Sequence, residues 1–535
     1  MTRTDNVKRN LIFNMIKFAT QLVLQFVLRT VLIYTMGAEY IGLNGLFTNI
    51  FAFLNLAELG IGSAIVFSMY KPIAENNVEK VKALQNLYKK FYLIIAGVVF
   101  VLGVAITPFL QVFIKDNVSV INIYILFLMY LINTLVGYFS AHKRSLLFAH
   151  QRNDIENKAR TISLFGMTVI QIVVLLLTKN YYLFFTINIL FTILECILIH
   201  IWANKLYPEI NGKSQPIDVK TKKEITKNVA ALSLHKIGSA VVFSTDNILV
   251  SAFFGVVVLG AYSNYYLIIT SLISIFSLFS NAITGSAGNL VASSTTDYVY
   301  SKFKTVNFMF AYLSAFSTIC LICLFQPFIS VWTGGGVYLL NFSTVILICL
   351  SFYLSRIRTG VSLFKDVTGL YWQDRWKPIA ESLVNLGVSI VLGYFMGING
   401  IFIGTIVSTL VAPFWVEPYV LYKHYFKRSV KDYFKRYVLD FVIMIGACAI
   451  CYLVCGLIPD GNIWLLIAKF AVCMALSNGL LILAYFKTKE FKELWQMAKN
   501  IIGKIFRRKT PASNVVESVT VNSENPTNNQ DENNN

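Results

Sequence analysis

Apolar runs of about 20 residues recur from one end of this chain to the other, with short polar connections between them. That recurrence restricts the fold more than any motif, because a helix of this length crosses the hydrocarbon core of a bilayer. Fourteen runs can be drawn, at roughly 10–35, 41–70, 91–114, 118–141, 159–178, 182–203, 228–253, 259–290, 305–331, 337–360, 378–397, 399–422, 437–457 and 463–486. With 56% hydrophobic and 14% charged residues, a soluble protein of 535 residues would lack polar surface. No connection is long enough to hold a separate soluble domain. The first run is too long for a cleavable signal, and no small-residue cleavage site follows it, so it is expected to be retained.

The charge balance fixes the expected sidedness. A formal net charge of +19 could suggest a nucleic-acid partner. However, Lys and Arg gather at the two ends of the chain and in alternate connections, while Lys115 and Lys179 stand in the opposite ones. This is the positive-inside pattern. It places both termini in the cytoplasm, requires an even number of spans, and excludes nucleic acid, which needs positive charge on one folded face.

The chain also repeats. Gly37, Gly42 and Pro108 recur at Gly255, Gly260 and Pro327, at offsets of about 218. PFLQVF (108–113) matches PFISVW (327–332), Gly62-Ser63-Ala64 resembles Gly285-Ser286-Ala287, and Ala159 and Gly166 align with Ala380 and Gly387. Such an offset covers six helices, an even number, so the two units share one orientation. The expected fold is an all-α integral membrane protein of about fourteen helices, with two parallel six-helix lobes plus two added C-terminal helices. The N-lobe takes 1–204, a cytoplasmic linker 205–227, the C-lobe 228–427 and the added helices 428–487. An amphipathic helix over 488–509 and a disordered tail over 510–535 follow. Two lobes about a pseudo-twofold axis enclose a cavity that can open to either side. Gly393-x-x-x-Gly397 and Gly400-x-x-x-Gly404 have the spacing that lets membrane helices approach closely.

Charges inside spans are costly and usually face protein or water. Arg29 and Asp246 both lie roughly 10 Å below the outer surface at about 1.5 Å per residue. They occupy nearly equivalent repeat positions, which suggests a pair across the cavity that serves as a static tie or as a gate. Lys236 and His235 lie near the cytoplasmic end of the seventh span, where Lys236 either snorkels to the headgroups or receives an anion. Glu58 is too deep to snorkel. Its small neighbours Gly60, Gly62, Ser63 and Ala64 place it against helices or water, where it can hold a proton or sodium or pair with Arg29. Glu195, Glu381, Glu417, Asp440 and Lys469 read as interfacial or lobe-contact residues.

All eight cysteines fall in spans. Cys320-x-x-Cys323 and Cys448-x-x-Cys451 have zinc-like spacing, but no partner pair is in reach by sequence, so they read as packing residues and no metal is expected. There is no phosphate loop, no HExxH and no nucleophile elbow, so neither enzyme activity nor a cofactor is expected, and transport work must come from a gradient, the membrane potential or the substrate itself. Near the C-terminus, KEFKELWQMAKNIIGKIFRR (489–508) carries apolar residues on one helical face, the pattern of a helix lying on an anionic leaflet.

The segment MGAEYIGLNGLFTNIFAFLNLAELGIGSAIVFSMYKPIAENN (36–77) resembles the second-span region of bacterial polysaccharide repeat-unit flippases, the Wzx-like transporters. LLFAHQRNDI (146–155), TDNILVSAFFG (245–255), LGAYSNYY (259–266) and TGLYWQDRWKP (368–378) are similar to the same family. His150 stands where that family's pattern has an Asp, so no role passes to it. The resemblance covers about residues 8–486 and implies the multidrug/oligosaccharidyl-lipid/polysaccharide (MOP) exporter superfamily, two lobes and alternating access. It implies a cargo of undecaprenyl-diphosphate-linked oligosaccharide, moved from the cytoplasmic to the outer leaflet of a bacterial plasma membrane, with polymerase and chain-length machinery as partners besides the membrane lipids. By that resemblance Arg29, Glu58, Lys236 and Asp246 would lie near the cavity, where by their charge Arg29, Lys236 and His235 would receive the diphosphate and Glu58 and Asp246 would gate or couple a proton or sodium. A cation-coupled drug exporter of the same superfamily, a lipid II or sporulation-type flippase, and a membrane glycan polymerase are the alternatives.

Overall fold

A computed structural model describes residues 3–55, 61–115, 121–212, 217 and 245–507. Among the described residues the secondary structure is helical, without strands, and twelve helical segments are long and apolar enough to cross a membrane. The first half runs α1 (Arg3–Thr35), α2 (Ala38–Leu54), α3 (Ile61–Ala74), α4 (Val78–Ile106), α5 (Ile123–Ala149), α6 (Asn153–Thr178) and α7 (Tyr181–Leu206). The second half begins with α8 (245–254) and continues through α9 (Val256–Ser293), α10 (Thr296–Thr333), α11 (Phe342–Arg356), α12 (Thr359–Val367), α13 (Lys377–Met396), α14 (Ile398–Val411) and α15 (Pro413–Val420). Then come α16 (Lys431–Gly456) and α17 (Ile463–Tyr485).

The second expected span appears as α2 and α3, on either side of residues 56–60, and the seventh is described only over 245–254. Glu58, His235 and Lys236 therefore lie outside the described residues, as do most of the linker and the tail over 510–535. A separate unit from Phe486 onward holds α18 (Lys489–Arg507), the helix that the amphipathic pattern predicts.

The repeat survives in three dimensions, with local departures. Pro108 opens a 3-10 turn over Thr107–Phe113 at the end of α4, whereas its counterpart Pro327 is carried inside the unbroken α10. A proline removes one helical hydrogen bond wherever it sits, and the two halves accommodate that loss differently.

The halves meet where α2 packs on α9. A Cβ at Gly42 would lie 1.8 Å from the Val256 carbonyl oxygen, and one at Gly260 would lie 2.0 Å from that of Ala38. Adding the offset of 218 turns Ala38 into Val256 and Gly42 into Gly260, so the two contacts are one contact seen twice. Gly45 faces Ser263, its own counterpart at the same offset, at 2.8 Å from the hydroxyl to the Cβ position. The pseudo-twofold axis therefore passes between these two residues. Further ties gather in the same part of the bundle. The Trp332 indole donates to Thr30 Oγ1 at 2.8 Å, and the Tyr34 hydroxyl donates to the Trp332 carbonyl at 2.9 Å. Ser251 Oγ donates to the Phe113 carbonyl at 2.7 Å. The end of the bundle nearest Gly37 and Gly255 is thus held together by direct backbone contact between the halves.

A side chain at this contact has no room, so Gly42→Val should hold that end open. In a background with the native cysteines changed to serine, Ser263→Cys should react with a membrane-impermeant maleimide several-fold faster when Gly42→Val is present.

Candidate functional site

Asp246 is placed by three helices. Gly400 lets α14 press against α13, since a Cβ there would lie 2.0 Å from the Leu392 carbonyl oxygen. Gly404 does the same against Ser389, at 2.2 Å from its hydroxyl. The close spacing expected from this glycine pattern is therefore used for a helix hairpin within one half. It brings Asn385 of α13 to Thr405 of α14, with Asn385 Nδ2 donating to Thr405 Oγ1 at 3.1 Å. The Thr405 hydroxyl in turn donates to Asp246 Oδ2 at 2.7 Å.

One oxygen of Asp246 is thus fixed. The other, Oδ1, is buried without a partner, and so is Asn385 Oδ1. Two unmet acceptors thus share one buried cluster, beside a cavity that the cations Arg356 and Arg358 also line. Asp246 and Thr405 line this cavity, of about 120 Å³, with Tyr262, Tyr266, Arg356 and Glu381.

Arg29 lies in the upper part of α1, among the hydroxyls of Tyr130, Tyr181 and Tyr338. Its Nη1 is buried and makes no hydrogen bond. The expected Arg29–Asp246 ion pair is not made in this conformation. Equal depth suggested it, but Asp246 is turned by Thr405 into its own half, while Arg29 sits among phenols of α5, α7 and the turn over Gly336–Tyr338. Glu58, His235 and Lys236 lie outside the described residues, so their placement remains an expectation.

The partners of four of the other intramembrane charges lie within one half or within the added helices, not across the lobes. Glu195 is buried within the first half and bound by Arg144 Nη2 at 2.9 Å and Arg160 Nη1 at 2.8 Å. Glu417 is buried within the second, bound by Arg358 Nη1 at 2.6 Å and Lys377 Nζ at 2.5 Å, with Ser362 Oγ donating at 2.8 Å. Asp440 accepts from Arg436 Nε at 3.0 Å and from the Tyr485 hydroxyl at 2.9 Å. Lys469 reaches Asp460 at 2.5 Å. Glu195, Glu417, Asp440 and Lys469 are each paired inside one half or within the added helices, while Glu381 lines the same small cavity as Asp246. The signal that could have found the two glutamates is the repeat, because Glu195 and Glu417 are 222 residues apart, inside the range of the glycine and proline matches. Packing of α10, α16 and α17 also gathers cysteines that sequence spacing kept apart, with the Cys320 and Cys473 sulfurs 3.9 Å apart and the Cys323, Cys455 and Cys473 sulfurs within 4.8 Å of one another.

No protein-family profile and no curated protein sequence matches the chain. Its fold is similar to that of the lipid II flippase MurJ in an inward closed conformation, with a TM-score of 0.64 at 16% identity over 89% of this chain and 99% of that one. It is also similar to the Vibrio cholerae MATE transporter VcmN, with a TM-score of 0.57 at 13% identity over 80% and 98% of the two chains. An inward-facing multidrug resistance MATE transporter of the MOP superfamily gives 0.55 at 12% identity over 75% and 94%. The chain is a multi-pass membrane protein with the MOP transporter fold.

Three outcomes follow from the pairing. Thr405→Val strands Asp246 Oδ2 and the Asn385 amide and should cost about 1–3 kcal/mol of stability, read by thermal unfolding in detergent. Glu417→Ala leaves the buried Arg358 without its ion pair and Lys377 with only Asp374 at 3.5 Å, and should cost about 3–5 kcal/mol in the same assay. Glu195→Ala should cost less, because Arg144 and Arg160 are 29% and 49% exposed and can be solvated.

Proposed function

We propose that this chain is a lipid-linked oligosaccharide flippase. It moves undecaprenyl-diphosphate-linked repeat units from the cytoplasmic to the outer leaflet of a bacterial plasma membrane, with both termini cytoplasmic and no covalent step. The observation that carries the reading is the reciprocal glycine contact joining two repeat-related halves at one end, with the unsatisfied polar atoms of Arg29 and Asp246 buried in the bundle. A static scaffold gains nothing from leaving such groups unpaired. The likeness to a lipid II flippase over 89% of the chain supports the class of cargo, and the sequence resemblance supports the polysaccharide branch.

In this mechanism the halves separate at the Gly42 and Gly260 contact while they close at the other end. The diphosphate head cannot cross hydrocarbon unaided. Arg29 meets it with a planar guanidinium suited to phosphate, and Lys236 and His235 supply further positive charge. Asp246 takes up a proton or sodium through Oδ1 in one state and releases it in the other, which couples the return step to an ion gradient. Outward movement of negative charge is favoured by an inside-negative potential, by about 2.3 kcal/mol per charge per 100 mV. Polymerase and chain-length machinery would receive the product.

A cation-coupled drug exporter is the second reading, favoured by the likeness to MATE transporters and by the same carboxylate. Deleting the gene separates the two. For the flippase, complete lipid-linked repeat units accumulate on the cytoplasmic leaflet and surface polysaccharide is lost, as read by mass spectrometry and leaflet-selective labelling. Unchanged lipids with new drug sensitivity would favour the exporter. Asp246→Asn should keep the fold but make transport insensitive to the proton or sodium gradient, measured by flipping in proteoliposomes.

A further inference from the structure

Six of the eight cysteines meet in one seam, where α16 and α17 pack on α10. The Cys323, Cys455 and Cys473 sulfurs, one from each helix, lie within 4.8 Å of one another. Cys320 Sγ stands 3.9 Å from Cys473 Sγ, Cys448 lies beside Cys323, and Cys451 neighbours Cys455 and Cys320. The central three residues are 5%, 2% and 0% exposed. All three helices are described along their whole length, and among the described residues no His, Asp or Glu joins the group.

Close packing alone does not call for sulfur here. The tight approaches elsewhere in the fold use glycine, at Gly42 and Gly260 and at Gly400 and Gly404. A cysteine is larger, and what it adds to a buried contact is a soft ligand atom. The i, i+3 spacing of Cys320 and Cys323, and of Cys448 and Cys451, sets each pair on one face of its helix. Cys473 of α17 closes the third side. The two added helices lie outside the repeat, so the reciprocal glycine contact between the halves does nothing to fasten them.

We infer that Cys323, Cys455 and Cys473 bind one copper(I) ion, which ties α16 and α17 to α10. Soft sulfur ligands select this ion. A metal–sulfur bond of about 2.3 Å puts three trigonal sulfurs about 4.0 Å apart, so the group has to close by less than about 1 Å. Zinc fits less well. Its structural sites take four ligands, and with three it keeps a water, which this sealed contact does not admit. Binding releases protons. Two thiols ionise, the third sulfur binds as the thiol, and the occupied site carries one negative charge. On the same buried face of α17, Lys469 stands one turn from Cys473, with its Nζ paired to Asp460 at 2.5 Å. All three ligand positions come from the protein, so the ion fastens helices and takes no part in transport. The inference is independent of the flippase reading.

The test adds copper(I) to the reduced full-length protein in detergent, without oxygen, against bicinchoninate as a competing chelator. One equivalent should stay on the protein, and X-ray absorption at the copper edge should show a shell of three sulfurs. That measurement needs no variant, so it stands even where a substitution impairs folding. Cys455→Ser and Cys473→Ser should each weaken binding at least 100-fold. Cys196→Ser on α7 and Cys349→Ser on α11, both outside the seam, should leave it within twofold. Copper(I) should raise the thermal midpoint of the native protein by several degrees, since a ligand bound only by the folded state stabilises it, and should not raise that of Cys455→Ser. Nitrogen or oxygen in the metal shell, an equal loss of binding in the seam and outlying variants, an unchanged midpoint, or a preference for zinc in direct competition would each overturn the assignment.

Discussion

The molecule depends on one backbone-to-backbone approach. Gly42 and Gly260 bring α2 and α9 so close that a methyl group at either would overlap a carbonyl oxygen of the other half. Hydrophobic burial gives little drive between helices in lipid, since the surrounding tails are as apolar as the side chains. Close van der Waals contact at small residues does that work, and it acts only when the two surfaces match. Because the halves repeat, one match supplies two contacts, placed symmetrically about an axis. The hydrogen bonds of Trp332, Tyr34 and Ser251 then add direction to an approach that the glycines permit.

Much of this was legible in the residues. Span length and charge alternation give the class of fold, and the offset near 218 gives the two halves and their shared orientation. The same offset identifies the contact itself, since Gly37, Gly42, Gly255 and Gly260 were its first members. The spacing of Gly400 and Gly404 foretold a tight helix pair. What escaped was direction. Arg29 and Asp246 share a depth, but depth does not say toward which neighbour a side chain turns. Thr405 and Asn385 are neutral and stand 159 and 139 residues from Asp246 in sequence, so no local pattern could mark them as its partners. Glu195 and Glu417 looked isolated because their cations come from other helices.

The halves have diverged most in how they treat charge. Both keep a buried glutamate between two cations. The second half buries it more deeply and adds Ser362, with Asp374 shared between Lys365 and Lys377. The first half leaves its arginines half open. The second half instead carries the unsatisfied carboxylate, at Asp246. Among the described residues, a cavity of the first half is lined by Arg144, Arg160 and Glu195, and the small one of the second by Asp246, Glu381, Arg356 and Arg358. A symmetric ancestor would give both halves the same task. The two halves now differ in how they place their charges.

The length of α9 gives the seam mechanical leverage. The helix has 38 residues, about 57 Å at 1.5 Å per residue, against a hydrocarbon core of about 30 Å. Gly260 sits near one end of it and Ser293 at the other, roughly 50 Å away by the same rise. A tilt of about 10° pivoting on the glycine would carry the far end through roughly 9 Å, close to the spacing of two packed helices. A displacement too small to break more than a few contacts at the pivot thus opens a gap one helix wide at the other face. The long arm turns a small change in tilt at the seam into a displacement about one helix wide.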